Sequence, residues 1–135
     1  AVQRKYNLPI IFPMHPRTKK MFDQFGIAFE KLIVTGPMSY LEFIYMIKHS
    51  AGVVTDSGGI TEETTVLNVP CMTLRNSTER PETVTMGTNV IVGTDPNNIV
   101  PYLEKLIAGD WKSGSIPDLW DGKTADRIVE MVAQL

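Results

Sequence analysis

Four groups of residues have the types and spacing to do chemistry. The sharpest is Asp56-Ser57-Gly58-Gly59, which follows the β-branched run Gly52 to Thr55 and opens a helical stretch. Two glycines at a strand-to-helix turn let the backbone approach a ligand, and the free N–H groups of a helix start attract an anion. Ser57 adds a hydroxyl donor. The same tetrapeptide also fits a plain turn with an N-cap serine, and its composition does not choose between the two. Glu62 and Glu63 follow on the same helix. At ~1.5 Å rise per residue, Glu63 lies on the order of 6–9 Å from the glycine turn, about one sugar's distance from a bound phosphate. A carboxylate there can accept two hydrogen bonds from a ribose diol. Side chains of adjacent helical residues point ~100° apart, so at most one of the pair faces such a ligand. Two acids complementing the helix dipole is the competing reading.

Arg80 stands in the polar loop Asn76 to Glu82. Its guanidinium suits bidentate contact with phosphate, although a loop arginine is also simply solvated. His15, between Met14 and Pro16 after the first apolar run, offers a donor to phosphate or sugar, or a structural role at the strand end. Better-known motifs are absent. There is no G-x-G-x-x-G and no G-x-x-x-x-G-K-[ST]. A nucleophile elbow needs glycine two residues before the serine, where Thr55 stands. With two histidines, His15 and His49, and one cysteine, no cluster has metal-ligand spacing.

Positioning these residues requires a fold of alternating strands and helices. Apolar runs at Pro9–Pro13, Lys31–Thr35, Gly52–Thr55, Cys71–Leu74 and Asn89–Val92 read as strands. They are continuous rather than alternating, as in parallel strands covered on both faces. Helices fit between them. Residues 16–25 stop at Gly26, and Ser39 and Glu42 have capping-box spacing for a helix running to about His49. On that helix Leu41, Ile44, Tyr45 and Lys48 form one row, with Phe43 and Tyr45 expected in the core. Gly58–Leu67 is a further helix, and a short one starts at Pro81. Pro101 favours a later start, after Asn98, for the helix that ends at Gly109, and a last helix spans about Gly122–Ala133. Five alternations imply a single α/β domain over residues 1–135, a Rossmann-like parallel sheet flanked by helices. Ligands of such sheets bind beyond the carboxyl ends of the strands, where His15, the Asp56–Gly59 turn and the Arg75–Glu82 loop fall.

The 135 residues are 43% apolar and 21% charged, as in an ordinary globular domain. A net charge of -2 leaves no basic excess for a nucleic-acid backbone. The lone Cys71 excludes an internal disulfide and fits a reducing cytoplasm. The longest apolar run, Leu8 to Met14, holds two prolines and is far short of the ~20 residues of a membrane span. Residues 1–6 lack signal-peptide order and resemble the last turn of a helix without its beginning.

Together, Phe12-Pro13-Met14-His15-Pro16, TDSGGITEE (Thr55 to Glu63), LRNSTERPE (Leu74 to Glu82) and GTNVIVGTD (Gly87 to Asp95) resemble the non-hydrolysing UDP-N-acetylglucosamine 2-epimerases over nearly the whole chain. The resemblance implies the C-terminal half of a glycosyltransferase-B type fold, the half that holds UDP. It implies that Ser57, Gly58 and Gly59 bind the diphosphate and Glu63 the ribose. Arg80 would reach the phosphates and Phe43 would offer backbone groups to uracil. His15 would sit near the diphosphate and assist leaving-group departure. It further implies UDP elimination to a glycal and re-addition with C2 inverted, without metal or nicotinamide, in a cytoplasmic enzyme that is commonly a homodimer. The acid/base carboxylates of that reaction belong to an N-terminal half that no segment here matches. The chain is therefore expected to be a truncation, and inactive alone. An epimerase for a related UDP-sugar of the diacetamido uronate type, a nucleotide-binding module without turnover, and a glycosyltransferase are the alternatives. The Gly-Gly after Ser57 and the TERPE loop weigh against the first and last of these.

Overall fold

The computed structural model describes residues 6–28 and 31–134. The expected turn at residues 1–6 lies outside them except for Tyr6, which is helical. The elements run β1 (Ile10–Pro13), α1 (Pro16–Phe25), β2 (Leu32–Thr35), α2 (Tyr40–Lys48), β3 (Val53–Thr55), α3 (Gly58–Val66), β4 (Cys71–Thr73), α4 (Pro81–Thr85), β5 (Asn89–Ile91), a 3-10 turn (Pro96–Asn98), α5 (Ile99–Ile107) and α6 (Thr124–Val132). Every strand pair is parallel. Rather than one ladder, the strands form two sheets, β1-β2 and β3-β4-β5. The chain correspondingly divides into two compact units, Ala1–Met46 and Ile47–Leu135.

In the first unit, β1 and β2 pair in register from Ile10 opposite Leu32 to Pro13 opposite Thr35. Phe12 meets Phe22 of α1 edge-on at 6.5 Å between ring centroids, fastening the helix to its strand. Gly26 ends α1 in the left-handed region at φ 62°, where the lack of a Cβ removes the steric cost. The capping box of α2 forms. The Ser39 N–H and O–H donate to Glu42 Oε2 at 2.9 and 2.7 Å, holding that carboxyl below the usual carboxylate range. The helix does not bury the row expected of it. Ile47 is buried and Phe43 and Ile44 are half-buried, whereas Leu41 and Tyr45 are 78% and 66% exposed. Phe43 and Ile47, four residues apart, share a less exposed row of the helix, and Tyr45 lies off it.

In the second unit β4 is the central strand, and Cys71, Met72 and Thr73 are all buried, as both-face coverage requires. Burial pushes the Cys71 thiol up to about 11. The buried face of α3 is made of threonines, Thr61, Thr64 and Thr65. Their hydroxyls donate to the carbonyls of Gly58 and Thr61 at 2.6–3.1 Å, so each enters the interior satisfied by its own helix. Pro101 falls in the first turn of α5, after the separate 3-10 turn, where its missing N–H costs little. Trp111 anchors the following loop by donating Nε1–H to the Thr88 carbonyl at 2.8 Å. Among the described residues no helix is long and apolar enough to cross a membrane.

Candidate functional site

The Ser-Gly-Gly turn sits where β3 becomes α3. Ser57 is the N-cap with extended backbone, φ -88° and ψ 129°, yet its side chain makes no capping hydrogen bond. The turn is shaped instead by Thr55, whose Oγ1 accepts the Ser57 N–H at 3.0 Å. The first N–H groups of α3 therefore lack the serine cap that would satisfy them internally. A Cβ built on Gly58 or on Gly59 meets nothing within 4 Å, and neither has positive φ. Neither backbone strain nor packing within the chain calls for glycine at these positions. What the two residues provide is unobstructed access to a helix N-terminus, the geometry by which backbone N–H groups hold an anion.

Glu62 lies one turn above Gly58, and Glu63 one turn above Gly59, so the two carboxylates leave the helix along different rows. Glu62 accepts the Arg80 Nε–H at 2.6 Å across an exposed ion pair. Glu63 is half-buried beside it. Arg80 is held at several points. Its backbone N–H donates to Thr78 Oγ1 at 3.0 Å, and one terminal N–H donates to the Glu79 carbonyl at 3.3 Å.

Behind Arg80 runs a buried relay that sequence reasoning missed. Thr73 on β4 donates its hydroxyl to Asn89 Oδ1 at 2.7 Å. The Asn89 Nδ2–H donates to Thr83 Oγ1 at 3.1 Å, and the Thr83 hydroxyl donates to the Arg80 carbonyl at 2.7 Å. Thr73, Thr83 and Asn89 are all buried, so the loop carrying Arg80 is tied through satisfied polar groups to the central strand β4 and its neighbour β5. The available signal was an asparagine opening an apolar strand, which by itself names no partner.

His15 and Phe43 belong to the first unit. His15 caps α1, its Nδ1 accepting the Arg17 N–H at 3.2 Å, so the neutral ring carries its proton on Nε2 and keeps a donor for another group. Beside it, at the carboxyl ends of β1 and β2, lies a mostly apolar cavity of about 270 Å³ lined by Met14, Pro16, Lys19 and residues 34–37. The buried Thr35 Oγ1 at its wall has no hydrogen-bond partner among the described residues. The Phe43 N–H is spent on the Ser39 carbonyl at 3.0 Å, which leaves the carbonyl's second lone pair as what its backbone can offer a base. The second unit thus brings Ser57, Gly58, Gly59, Glu63 and Arg80 onto α3 and the loop beside it. Among the described residues no group of three or more acidic, histidine or cysteine side chains could hold a metal ion.

A family model described as UDP-N-acetylglucosamine 2-epimerase matches residues 1–133. A curated UDP-N-acetylglucosamine 2-epimerase of Methanococcus maripaludis is 41% identical over 97% of this chain and 37% of its own length. A UDP-2,3-diacetamido-2,3-dideoxy-D-glucuronate 2-epimerase of Pseudomonas aeruginosa is 36% identical over 94% of this chain and 35% of its own. Among solved structures, the Methanocaldococcus jannaschii UDP-GlcNAc 2-epimerase in complex with UDP-GlcNAc and UDP superposes with a TM-score of 0.83. It is 36% identical, over 99% of this chain and 38% of that one. The chain thus spans a little over a third of the relatives it matches.

Proposed function

Because the chain belongs to the UDP-N-acetylglucosamine 2-epimerase family, we propose that it is the UDP-binding part of an enzyme interconverting UDP-N-acetylglucosamine and UDP-N-acetylmannosamine. The observation that carries this reading is the open, uncapped Ser57-Gly58-Gly59 start of α3, with Glu63 one turn along it. The diphosphate lies against the N–H groups and hydroxyl of that turn, and the Glu63 carboxylate takes the ribose diol. Arg80 adds positive charge on the phosphate side. For the first unit, taken by itself, the resemblance assigns the Phe43 carbonyl to uracil and the His15 Nε2–H to the departing diphosphate. In the reaction, a base removes the C2 proton as the C1–O bond breaks, releasing UDP and the glycal. Re-addition of UDP and protonation of the opposite face invert C2. Binding UDP stabilises the charge that builds on the leaving group, which is this part's contribution to the barrier.

Calorimetric titration of the chain with UDP tests the reading. Binding is expected for the wild type and lost in large part for Glu63→Ala; an unchanged Glu63→Ala titration would remove the ribose assignment. Arg80→Ala is expected to weaken UDP far more than uridine, and equal losses exclude a phosphate role. The diacetamido-uronate relative supports a second reading, in which the same UDP site serves a related sugar.

A further inference from the structure

Two adjacent acids follow the glycine turn, and the first of them meets an arginine. Glu62 meets Arg80 across 18 residues of sequence at 2.6 Å, with the two side chains 37% and 48% exposed. An exposed ion pair contributes little to stability, so its geometry calls for another account. Three features of the pair constrain what it does. The contact uses Nε, the guanidinium donor nearest the chain, and one terminal nitrogen is turned to the Glu79 carbonyl. The outer donors of the fork therefore remain for a second acceptor. Glu62 also shares a helical row with Gly58, so the grip holds the guanidinium ~6 Å along the axis from the start of α3. Finally, the carbonyl of Arg80 is fixed from behind by the buried Thr83–Asn89–Thr73 relay. Both ends of a long, rotamer-rich side chain are thereby fixed before any ligand arrives, which lowers the entropy cost of using it.

We propose that Glu62 is a positioning residue, a clamp on Nε that aims the outer edge of Arg80 at the anion bound by the Ser57-Gly58-Gly59 turn. Glu62 and Glu63 then divide their work: one orients the arginine, the other meets the nucleotide. The inference rests on the nucleotide-binding reading above, and its test separates the two.

In the nucleotide-free chain, ¹⁵N NMR of the Arg80 Nε–H reads the clamp alone. Solvent exchange should be slow in wild type and Glu62→Gln, whose amide oxygen still accepts, and fast in Glu62→Ala. Titrations with UDP and with uridine read its consequence. Glu62→Ala should weaken UDP roughly three- to fivefold, the size of one exposed ion pair's coupling, with uridine little changed. Glu62→Gln should restore UDP binding, and Glu62→Ala should cost nothing further in an Arg80→Ala background. Equal Nε–H exchange in wild type and Glu62→Ala overturns the clamp whatever UDP does. So do equal losses for UDP and uridine, or additive losses in the double variant. A protected Nε–H in a wild-type chain that ignores UDP overturns the nucleotide reading, and with it the aim assigned to Arg80, while leaving the pairing itself established.

Discussion

Ser57 offers the most direct separation of structure from function at the scale of single residues. An N-cap serine normally satisfies a helix N–H, and its replacement by alanine costs ~1 kcal/mol. Here the side chain makes no capping bond. Ser57→Ala is therefore expected to leave the urea-unfolding midpoint nearly unchanged while weakening UDP relative to uridine. A large loss of stability with UDP binding intact would return the residue to an ordinary cap. Cys71 makes the opposite case, since everything about it is structural. It is fully buried in the central strand with its thiol pushed up to about 11. A thiol probe should leave it unmodified in the folded chain and react promptly after denaturation; fast labelling of the native state would contradict the packing of β4.

Helix ends carry much of the local order at the scale of elements, and they differ in how visible they are in the sequence. The α2 cap was legible because Ser39 and Glu42 are three residues apart and need no tertiary partner. The position of Pro101 was legible for the same reason: proline's effect on a helix is local. The inward face of α2 was not. A periodic row of apolar residues says that a helix is amphipathic, but which row is buried depends on the neighbours it meets, and here Phe43 and Ile47 are the less exposed residues instead of Tyr45. In the candidate site, the glycine turn and Glu63 are contiguous along one helix and were readable as a unit. The Glu62–Arg80 pair and the Thr73–Asn89–Thr83 relay were not, because each joins residues brought together only by the crossover between parallel strands. The start of α6 provides a pH test. Arg127 binds both oxygens of Asp121, one at 2.9 Å, and holds that carboxyl at about 2, below its ordinary value of 3.8. A carboxyl depressed by folding adds stability above its unfolded value and loses it as pH falls through the folded one. Asp121→Asn should therefore be less stable than wild type near pH 6, with the difference shrinking below about 4 and mostly lost by pH 2. A difference undiminished at pH 2 would mean that the ion pair is not its source.

For the molecule as a whole, binding a leaving group and moving a proton are separable tasks, and the contacts proposed for this chain serve the first. Epimerisation requires a base at C2 and an acid on the opposite face of the sugar. Of the residues assembled around the α3 turn, Glu62 is engaged by Arg80 and Glu63 is assigned to the ribose, while the resemblance assigns proton transfer to a part of the enzyme that has no match here. The matched relatives are nearly three times as long as the region they share with this chain. The chain alone is accordingly expected to bind UDP without interconverting the gluco and manno sugars. Incubation with UDP-N-acetylglucosamine in deuterated water provides a test that does not depend on the position of equilibrium. Any cycle of proton removal and return at C2 leaves deuterium there, even if the substrate configuration is regenerated. Proton NMR should show the C2 signal undiminished and no manno signals, under conditions where a full-length relative exchanges it. Loss of that signal in the chain alone would place a working base among these 135 residues, and would move catalysis onto the same part that holds the nucleotide.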